Sequence, residues 1–395
     1  MYAKNNKISN LSWPRVKFGD MVRQSKEKAN PETSGLARYI AGDHMDTDDL
    51  RLRRWGDIGS GYLGPAFHMR FKPGQVLYGS RRTYLRKVAV ADFDGICANT
   101  TFVLESKEPD VLLPQFLPFL MQTNAFNEFS VKNSKGSVNP YINFSDLARF
   151  EFALPPKAEQ LRIVELLRQF ELQAESYNDA FLALKKLKAS LAQAEFVESN
   201  VRALPLNQLC SKSGIQIGPF GAQLHSYDYV VDGVPVVMPA DMTNGKVVLD
   251  RIARVSEQKI SELQQHTLRQ GDILLPRRGD LDRRAWVSEV EEGWLCGTGS
   301  IRIRVADGVN PRGVFYALSM PATVSWLKAN AVGTTMPNLN TKIVASIPIK
   351  LPRPERLNDV VKALDDFDSA EHELTTRRQT AAALRSQLLN SLWGE

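Results

Sequence analysis

GSVNPYIN at residues 136–143 and GTTMPNLN at residues 333–340 are two versions of one pattern. The glycine, the proline and the last asparagine occupy the same places in both stretches, and 197 residues separate each matching pair. The Leu-Pro pair at 154–155 reappears at 351–352 with the same shift. Because two shifts of this length nearly fill the 395-residue chain, the pattern predicts two copies of one unit.

The repeat extends outward from these stretches. Agreement weakens before about residue 36 and around Cys97, and the second copy contains extra residues within GIQIGPFGAQLHSYDYVVDG at 214–233. Further pairs at the same shift are Gly74 with Gly271, Leu77 with Leu274, Arg81 with Arg278, Tyr39 with Val236, Ile40 with Val237, Met45 with Met242 and Phe196 with Trp393. One shift over most of the chain indicates an internal duplication.

Each copy opens with a domain of mixed character, predicted at 1–155 and 198–352. Short runs such as KVAVADF and SIRIRV are rich in Val, Ile and Ala and are bounded by Gly, Pro, Asn and Asp, which is typical of strands. Two short helical stretches interrupt them, LPQFLPFLMQTNAFNEFS (113–130) in the first copy and PRGVFYALSMPATVSWLKAN (311–330) in the second. The predicted fold class is therefore α+β, with two mixed α/β domains.

Each copy closes with a long helix, predicted at 156–197 and 353–395. Apolar residues recur at steps of three and four in both segments, which is the spacing of a coiled-coil stripe. About 40 residues at 1.5 Å each give a rod of roughly 60 Å. Each stripe needs a partner, and the simplest one is the other helix. This interpretation predicts an antiparallel coiled coil with pseudo-twofold symmetry between the domains; the alternative is that each helix packs back on its own domain.

The composition favours an anionic partner. The formal net charge is +6, and nucleic acid is the commonest partner of basic proteins. The three cysteines are odd in number and widely spaced, which argues against a disulfide framework and clustered zinc ligands. The polar first residues lack the apolar segment of a signal peptide. We therefore expect a cytoplasmic protein with reduced thiols.

Basic residues cluster at one matching position in both copies. Two similar domains on a rod suit duplex DNA, whose readers space half-sites by turns of 34–36 Å, and arginine can grip phosphate or pair with guanine. A solvated hairpin loop is the alternative. Together with two weaker polar loops, the predicted DNA-binding residues are Arg81, Arg82, Tyr84, Arg86, Lys87, Lys132, Asn133, Lys135, Gln223, His225, Ser226, Arg277, Arg278, Arg283 and Arg284.

The order of these features resembles the specificity (S) subunits of type I restriction–modification systems. The resemblance is carried by residues 214–242, 268–287 and 333–352 and by the helix starts at 154–167 and 351–364. It implies two target recognition domains that each read half of a split DNA sequence, separated by spacer helices. It also implies docking of two methyltransferase (modification) subunits, with restriction or translocase subunits as further partners, and no catalytic activity in this chain. The first copy lacks the GPFG segment that the second copy has at 218–221.

Sequence features of an enzyme are weak by comparison. NPYI at 139–142 lacks the second proline of an amino-methyltransferase tetrapeptide, and no Gly-rich nucleotide loop follows a strand. The five histidines show no metal spacing, and the acidic stretch at 43–49 is interpreted as a polar turn rather than a metal site. We expect no cofactor and no metal. The hypotheses left are a bipartite DNA reader, a scaffold that does not bind DNA, and a specificity module of another DNA-modifying defence system.

Overall fold

The computed structural model describes residues 13–333 and 337–391. Two parts of the predicted repeat lie outside these residues. They are Trp393, which the repeat pairs with Phe196, and the middle of GTTMPNLN. The chain divides into two compact units, Met1–Asp179 with Thr375–Glu395, and Ala180–Leu374. Both units are mixed α/β, and each of the two long helices contains residues of both units. The predicted fold class is confirmed.

Unit 1 contains two four-stranded sheets and one strand pair. The first sheet has the antiparallel order β2-β9-β6-β7, the second has the order β4-β3-β8-β5 with β3 and β8 parallel, and β1 pairs with β10. The strands are β1 (Arg15–Lys17), β2 (Val22–Gln24), β3 (Arg38–Ile40), β4 (Gly56–Asp57), β5 (Phe67–Phe71), β6 (Val76–Gly79), β7 (Val88–Val90), β8 (Gly95–Ala98), β9 (Thr101–Ser106) and β10 (Glu151–Ala153). The short helices are α1 (Phe18–Met21), α2 (Leu117–Met121), α3 (Asn124–Lys132) and α4 (Phe144–Leu147), and the long helix α5 (Lys157–Phe196) follows.

Unit 2 repeats this plan. Its first sheet has the order β12-β21-β18-β19, and its second has the order β13-β17-β14-β20 with β14 and β20 parallel. Unit 2 also contains two strand pairs, β11 with β22 and β15 with β16. The strands are β11 (Leu204–Pro205), β12 (Cys210–Ile217), β13 (Tyr229–Val230), β14 (Val234–Val237), β15 (Met242–Thr243), β16 (Lys246–Val247), β17 (Ala253–Val255), β18 (Ile273–Pro276), β19 (Ala285–Trp286), β20 (Leu295–Cys296), β21 (Ser300–Val305) and β22 (Pro348–Ile349). The helices are α6 (Glu257–Glu262), α7 (Pro311–Ser319), α8 (Pro321–Asn330), α9 (Thr341–Ala345) and the long α10 (Pro354–Ser391).

The central strand β6 is buried on both faces of its sheet. Successive side chains point to opposite faces of a strand. Val76 and Tyr78 therefore enter the core beneath the short helices, whereas Leu77 enters a second core that contains Cys97. Two-sided burial explains why this strand reads as a continuous apolar run rather than as an alternation.

The weak agreement around Cys97 has a simple cause. The connection from β7 to β8 covers residues 91–94, whereas that from β19 to β20 covers residues 287–294. Through β8 and β9 the matching residues are shifted by 199 rather than 197, so Cys97 corresponds to Cys296 and Thr101 to Ser300. The shift is 197 again at residues 136–143. Burial raises the pKa of both thiols to about 12. Both cysteines thus behave as small apolar core residues.

The two long helices run antiparallel within unit 1. Val164 and Leu167 of α5 share a core with Leu389 near the end of α10. One to two turns further along, Glu171 of α5 accepts a hydrogen bond from Arg385 of α10 at 3.1 Å. Sequence numbers rise along one helix as they fall along the other, as predicted for an antiparallel pair.

The same contacts recur within unit 2, shifted by 197 residues. Ala192 of α5 shares a core with Val361 and Leu364 of α10. Lys188 of α5 pairs with Asp368 of α10, which is the counterpart of the pair between Arg385 and Glu171. Both packing arrangements considered for the helices occur within each unit. Its segments of α5 and α10 pack on each other, and they also pack on the core of that unit.

Candidate nucleic-acid interface

The basic loop of unit 1 follows β6 and is fixed by the motif that revealed the repeat. The main-chain N–H of Arg82 donates to the carbonyl of Pro140 at 2.6 Å, and that of Ile142 donates to the carbonyl of Ser80 at 2.9 Å. Arg81 forms an isolated β-bridge to Tyr141. GSVNPYIN thus holds the loop in place through the backbone, which explains why the pattern occurs at the same position in both copies.

Unit 2 builds its loop with the same backbone hydrogen bonds. The N–H of Gly279 donates to the carbonyl of Pro337 at 3.3 Å, and that of Leu339 donates to the carbonyl of Arg277 at 2.6 Å. Arg278 forms the matching bridge to Asn338. Every partner is shifted by 197 residues from its counterpart in unit 1, so the two loops are equivalent in structure.

Two of the predicted basic residues in unit 1 bind their own domain. Arg86 donates to the carboxylate of Asp48 at 2.8 Å and to the side-chain oxygen of Asn124 at 3.1 Å. The ammonium group of Lys87 bonds to the carbonyl of Gly42. These side chains brace the loop against neighbouring segments, and we leave them out of the DNA contacts proposed below.

Two arginines of unit 2 have the same bracing role. Arg284 is 8% exposed, bonds to the carbonyl of Leu318, and has its pKa lowered by burial. Arg283 donates to Asp280 at 3.2 Å and to the carbonyl of Ala240 at 3.1 Å. A buried guanidinium must be satisfied internally, so the donors of Arg284 are not offered to solvent. The Arg283 side chain is 40% exposed but is engaged by its own domain.

The remaining residues of the two loops are available for a ligand. Arg81, Arg82 and Arg278 are exposed, and their guanidinium groups form no hydrogen bond or ion pair within residues 13–333 and 337–391. Tyr84 is 52% exposed. Arg277 is half-buried. Within each unit, the loop thus presents unpaired cationic donors on a fixed backbone, which suits a polyanion.

The predicted polar loop of unit 1 is divided in the same way. Lys132 is exposed at the end of α3. Asn133 donates to the carbonyl of Phe129 at 2.8 Å and so ends that helix. Lys135 pairs with Asp146 at 2.7 Å, and this hydrogen bond holds the pKa of the Asp146 carboxyl below its usual range. Of the two lysines, only Lys132 has no ion-pair partner among the described residues.

The extra segment of unit 2 is a series of tight turns. The side chain of Gln223 accepts a hydrogen bond from the N–H of Phe220 at 3.4 Å. The ring of His225 stacks on that of Tyr227, with centroids 4.9 Å apart. Ser226 is exposed beside them. These residues form a surface loop.

Two features of the interface escaped the sequence analysis. A groove of about 370 Å³ beside Arg81 is lined by Gln24, Asn99, Thr100 and Asn143, among others. These polar residues come from three separate stretches, and no local pattern links them. The other feature is an aromatic contact in unit 2, in which the ring of Phe220 covers the guanidinium of Arg277; its only signal was an aromatic residue within a Gly-bounded insertion.

Three further arginines of unit 1, at residues 51–54, are paired with carboxylates. No group of three or more potential metal ligands occurs in the part of the chain that the structure describes. The acidic turn supplies two of the three counter-charges, and α5 supplies the third. The ion pairs are Arg51 with Glu175, Arg53 with Asp49, and Arg54 with Asp46.

Comparison with known families identifies the repeated unit. The profile described as "Type I restriction modification DNA specificity domain" matches residues 25–180 and again residues 223–383. The two matches together cover more than half of the chain. The chain belongs to this family. The resemblance indicated by the sequence is thereby confirmed, and the two matches follow the internal repeat of this specificity protein.

Named relatives of the specificity protein are similar over parts of their length. It is 26% identical over 196 residues to the type I restriction enzyme EcoDI specificity subunit of Escherichia coli, which covers 47% of this chain and 41% of that subunit. It is 19% identical over 314 residues to the MjaVIII specificity subunit of Methanocaldococcus jannaschii, which covers 75% and 73% of the two chains. The alignment to the E. coli subunit thus spans less than half of that subunit's length.

A solved structure shares the fold. The crystal structure of the type I restriction–modification system S subunit from M. genitalium matches with a TM-score of 0.62 at 17% identity, covering 100% of this chain and 98% of that one. No helix in the described ranges has the length and apolarity needed to cross a bilayer.

Proposed function

We propose that this specificity protein is the DNA sequence-recognition subunit of a type I restriction–modification complex and reads a two-part target. In this proposal the domains at 1–155 and 198–352 are target recognition domains with one half-site each, and the helices at 156–197 and 353–395 are spacers. Family membership supports DNA recognition as the role. The chain selects the sequence and does not catalyse the reaction, in keeping with relatives that are named specificity subunits.

One observation carries the proposal: the same arginine loop is built twice. The backbone bonds that fix Arg81 and Arg82 in unit 1 recur around Arg278 in unit 2. These three guanidinium groups are exposed and free of internal partners among the described residues. Two equivalent donor sets in one chain suit a ligand that offers two phosphate-rich sites, as duplex DNA does.

The proposed partners are two methyltransferase (modification) subunits, joined in some assemblies by restriction or translocase subunits. The long helices keep leucines on their outer surface after each unit has packed, which supports docking of apolar partner surfaces there. The proposed location is the cytoplasm, and the proposal requires no cofactor in this chain. The exposed helix leucines among the described residues are Leu161, Leu166, Leu172, Leu182, Leu187 and Leu384.

The test removes the free arginines of each loop and measures binding to target DNA across a salt series. Arg81→Ala with Arg82→Ala should weaken binding, and the slope of log affinity against log salt should fall by about 0.9 for each phosphate that the protein no longer neutralises. Arg278→Ala should act in the same direction through unit 2. Unchanged affinity and slope in both variants contradict the proposal.

Lys107→Ala is the matched control. This substitution removes one positive charge, as Arg278→Ala does, but Lys107 follows the last residue of β9, at the opposite end of that strand from the loop. Its ammonium donates to the carbonyl of Gly19 at 2.6 Å. The control should keep both affinity and salt slope, because a general decrease in positive charge is not the predicted cause.

A further inference from the structure

Arg277 stands apart from the other arginines of unit 2. Its Cζ lies 5.7 Å from the centre of the Phe220 ring, within the range of a cation–π contact. Its Nε is buried without a hydrogen-bond partner in the described part of the chain. The nearby acids are occupied elsewhere, Asp280 by Arg283 at 3.2 Å and Asp282 by Lys328 at 2.6 Å. The guanidinium is therefore held in place without being neutralised.

The backbone beneath this pair is fixed on both sides. The N–H of Arg277 donates to the carbonyl of Gly299 at 2.6 Å, directly after β18. On the other side, the hydroxyl of Thr298 donates to the carbonyl of Pro219 at 2.8 Å, next to Phe220. Phe220 is itself 57% exposed. The ring therefore covers the guanidinium at the surface rather than in a core, and a planar donor group in such a setting is pre-organised for an external acceptor.

Unit 1 lacks this arrangement. The position equivalent to Arg277 is Ser80, which is 5% exposed and whose hydroxyl donates to the carbonyl of Thr100 at 2.7 Å. The first copy also lacks the GPFG segment that supplies the ring. The supported arginine is thus specific to unit 2, at a position where the two copies share the same backbone.

We propose that Arg277 determines specificity by donating two N–H groups to O6 and N7 of one guanine in the half-site read by unit 2. The inference rests on the proposed function. Guanine presents these two acceptors in the major groove, and the guanidinium fork matches their spacing. Phe220 is a positioning residue that sets the plane of the fork. Arg278 is exposed and has no comparable support, so it contacts phosphate and carries no sequence information.

The test selects bound sequences from a pool of randomised duplex DNA, using the full-length chain co-expressed with its modification subunits. Arg277→Lys keeps the positive charge and removes the fork. We expect preference for one G·C pair in one half-site to fall roughly 5- to 150-fold, as a bidentate pair is worth. The other positions, the other half-site and the salt slope should stay as in the wild type. Arg278→Lys, the matched control, should change no base preference.

Phe220 variants test the positioning role. Phe220→Leu should weaken the same base preference by part of the Arg277→Lys effect, and Phe220→Tyr should restore it, with melting temperatures confirming that each variant folds. The inference is overturned if Arg277→Lys retains the full preference, or if it weakens binding to all sequences equally as a phosphate contact would. A wild-type complex that selects no sequence at all contradicts the proposed function itself.

Discussion

Arg385 of α10 gives the most direct test of helix pairing within unit 1. Its guanidinium donates to Glu171 of α5 at 3.1 Å, bonds to the side-chain oxygen of Gln122, and lies 5.8 Å from the centre of the Phe119 ring. The side chains of Arg385 and Glu171 are only 15% and 25% exposed. Arg385→Ala therefore leaves a mostly buried carboxylate without its counter-charge.

The expected destabilisation can be bracketed from the burial of Arg385 and Glu171. Breaking a fully buried pair costs about 3–5 kcal/mol, and an exposed pair is worth about 0–1 kcal/mol. Since this site lies nearer the buried limit, we expect the unfolding free energy of unit 1 to fall by about 2–3 kcal/mol at pH 7. Glu171→Gln in the same chain should restore part of it, because no uncompensated charge then remains.

The destabilisation should depend on pH in a defined direction. Burial raises the pKa of Glu171 even beside Arg385, and removing the arginine raises it further. A carboxyl whose folded pKa is raised destabilises the fold only as pH rises above its unfolded value, about 4.3. The single variant should therefore regain stability as pH falls from 7 toward 5.

Hydrogen exchange of segments 160–175 and 380–391 reports the local opening free energy of unit 1. The variants to compare are Arg385→Ala, Glu171→Gln and their combination, each at pH 7 and pH 5. A single variant within about 0.5 kcal/mol of the wild type, the usual range for neutral surface changes, refutes the reasoning. So does a destabilisation that Glu171→Gln leaves unchanged.

Three further outcomes follow from buried or strained positions. Because burial raises the pKa of Cys97 and Cys296 to about 12, a thiol reagent at pH 8 should label them only after unfolding; rapid labelling of the native chain contradicts this. Gly279 has a φ of 84°, so Gly279→Ala should cost about 1–2 kcal/mol in urea unfolding, whereas Arg82→Gly at the equivalent position should cost nothing. Burial lowers the pKa of His266, so the free energy of unfolding should fall as pH drops below the unfolded-state pKa of about 6.5. His266→Gln should flatten this fall between pH 7 and pH 5. If the variant shows the same dependence of stability on pH as the wild type, His266 is not its source.

The sequence predicted the architecture because its signals are local or periodic. The repeat at 136–143 and 333–340 corresponds to one backbone arrangement built twice, and the apolar stripes correspond to helices at Lys157–Phe196 and Pro354–Ser391. Turn residues and three- and four-residue steps carry this information within short windows. Around Cys97 the repeat shift changed from 197 to 199, because the connection before β20 is longer than that before β8.

The availability of individual arginines could not be predicted, because it depends on partners distant in sequence. Arg86 binds Asp48, and Arg284 binds the carbonyl of Leu318. The neighbouring sequence does not distinguish an arginine that binds its own domain from one that is free for a ligand. The support of Arg277 by Phe220 also required the insertion to fold over β18, which no local pattern encodes.

If one chain reads two half-sites as proposed, its long helices set the gap between them. Four residues inserted into α5 between Asp179 and Ala180, and four into α10 between Leu374 and Thr375, lengthen both helices where the two units meet in sequence. Four residues add about 6 Å and about 40° beyond one full turn. One base pair of DNA adds about 34–36° at 10–10.5 base pairs per turn and about 3.4 Å of length. The added rotation therefore matches one base pair, and the added length lies between one and two base pairs.

Mapping the methylated motif of the complex before and after this double insertion measures the gap directly. We expect both half-site sequences to be retained and the gap between them to grow by one or two base pairs. A motif whose gap is unchanged, or whose half-site sequences change with the insertion, contradicts it.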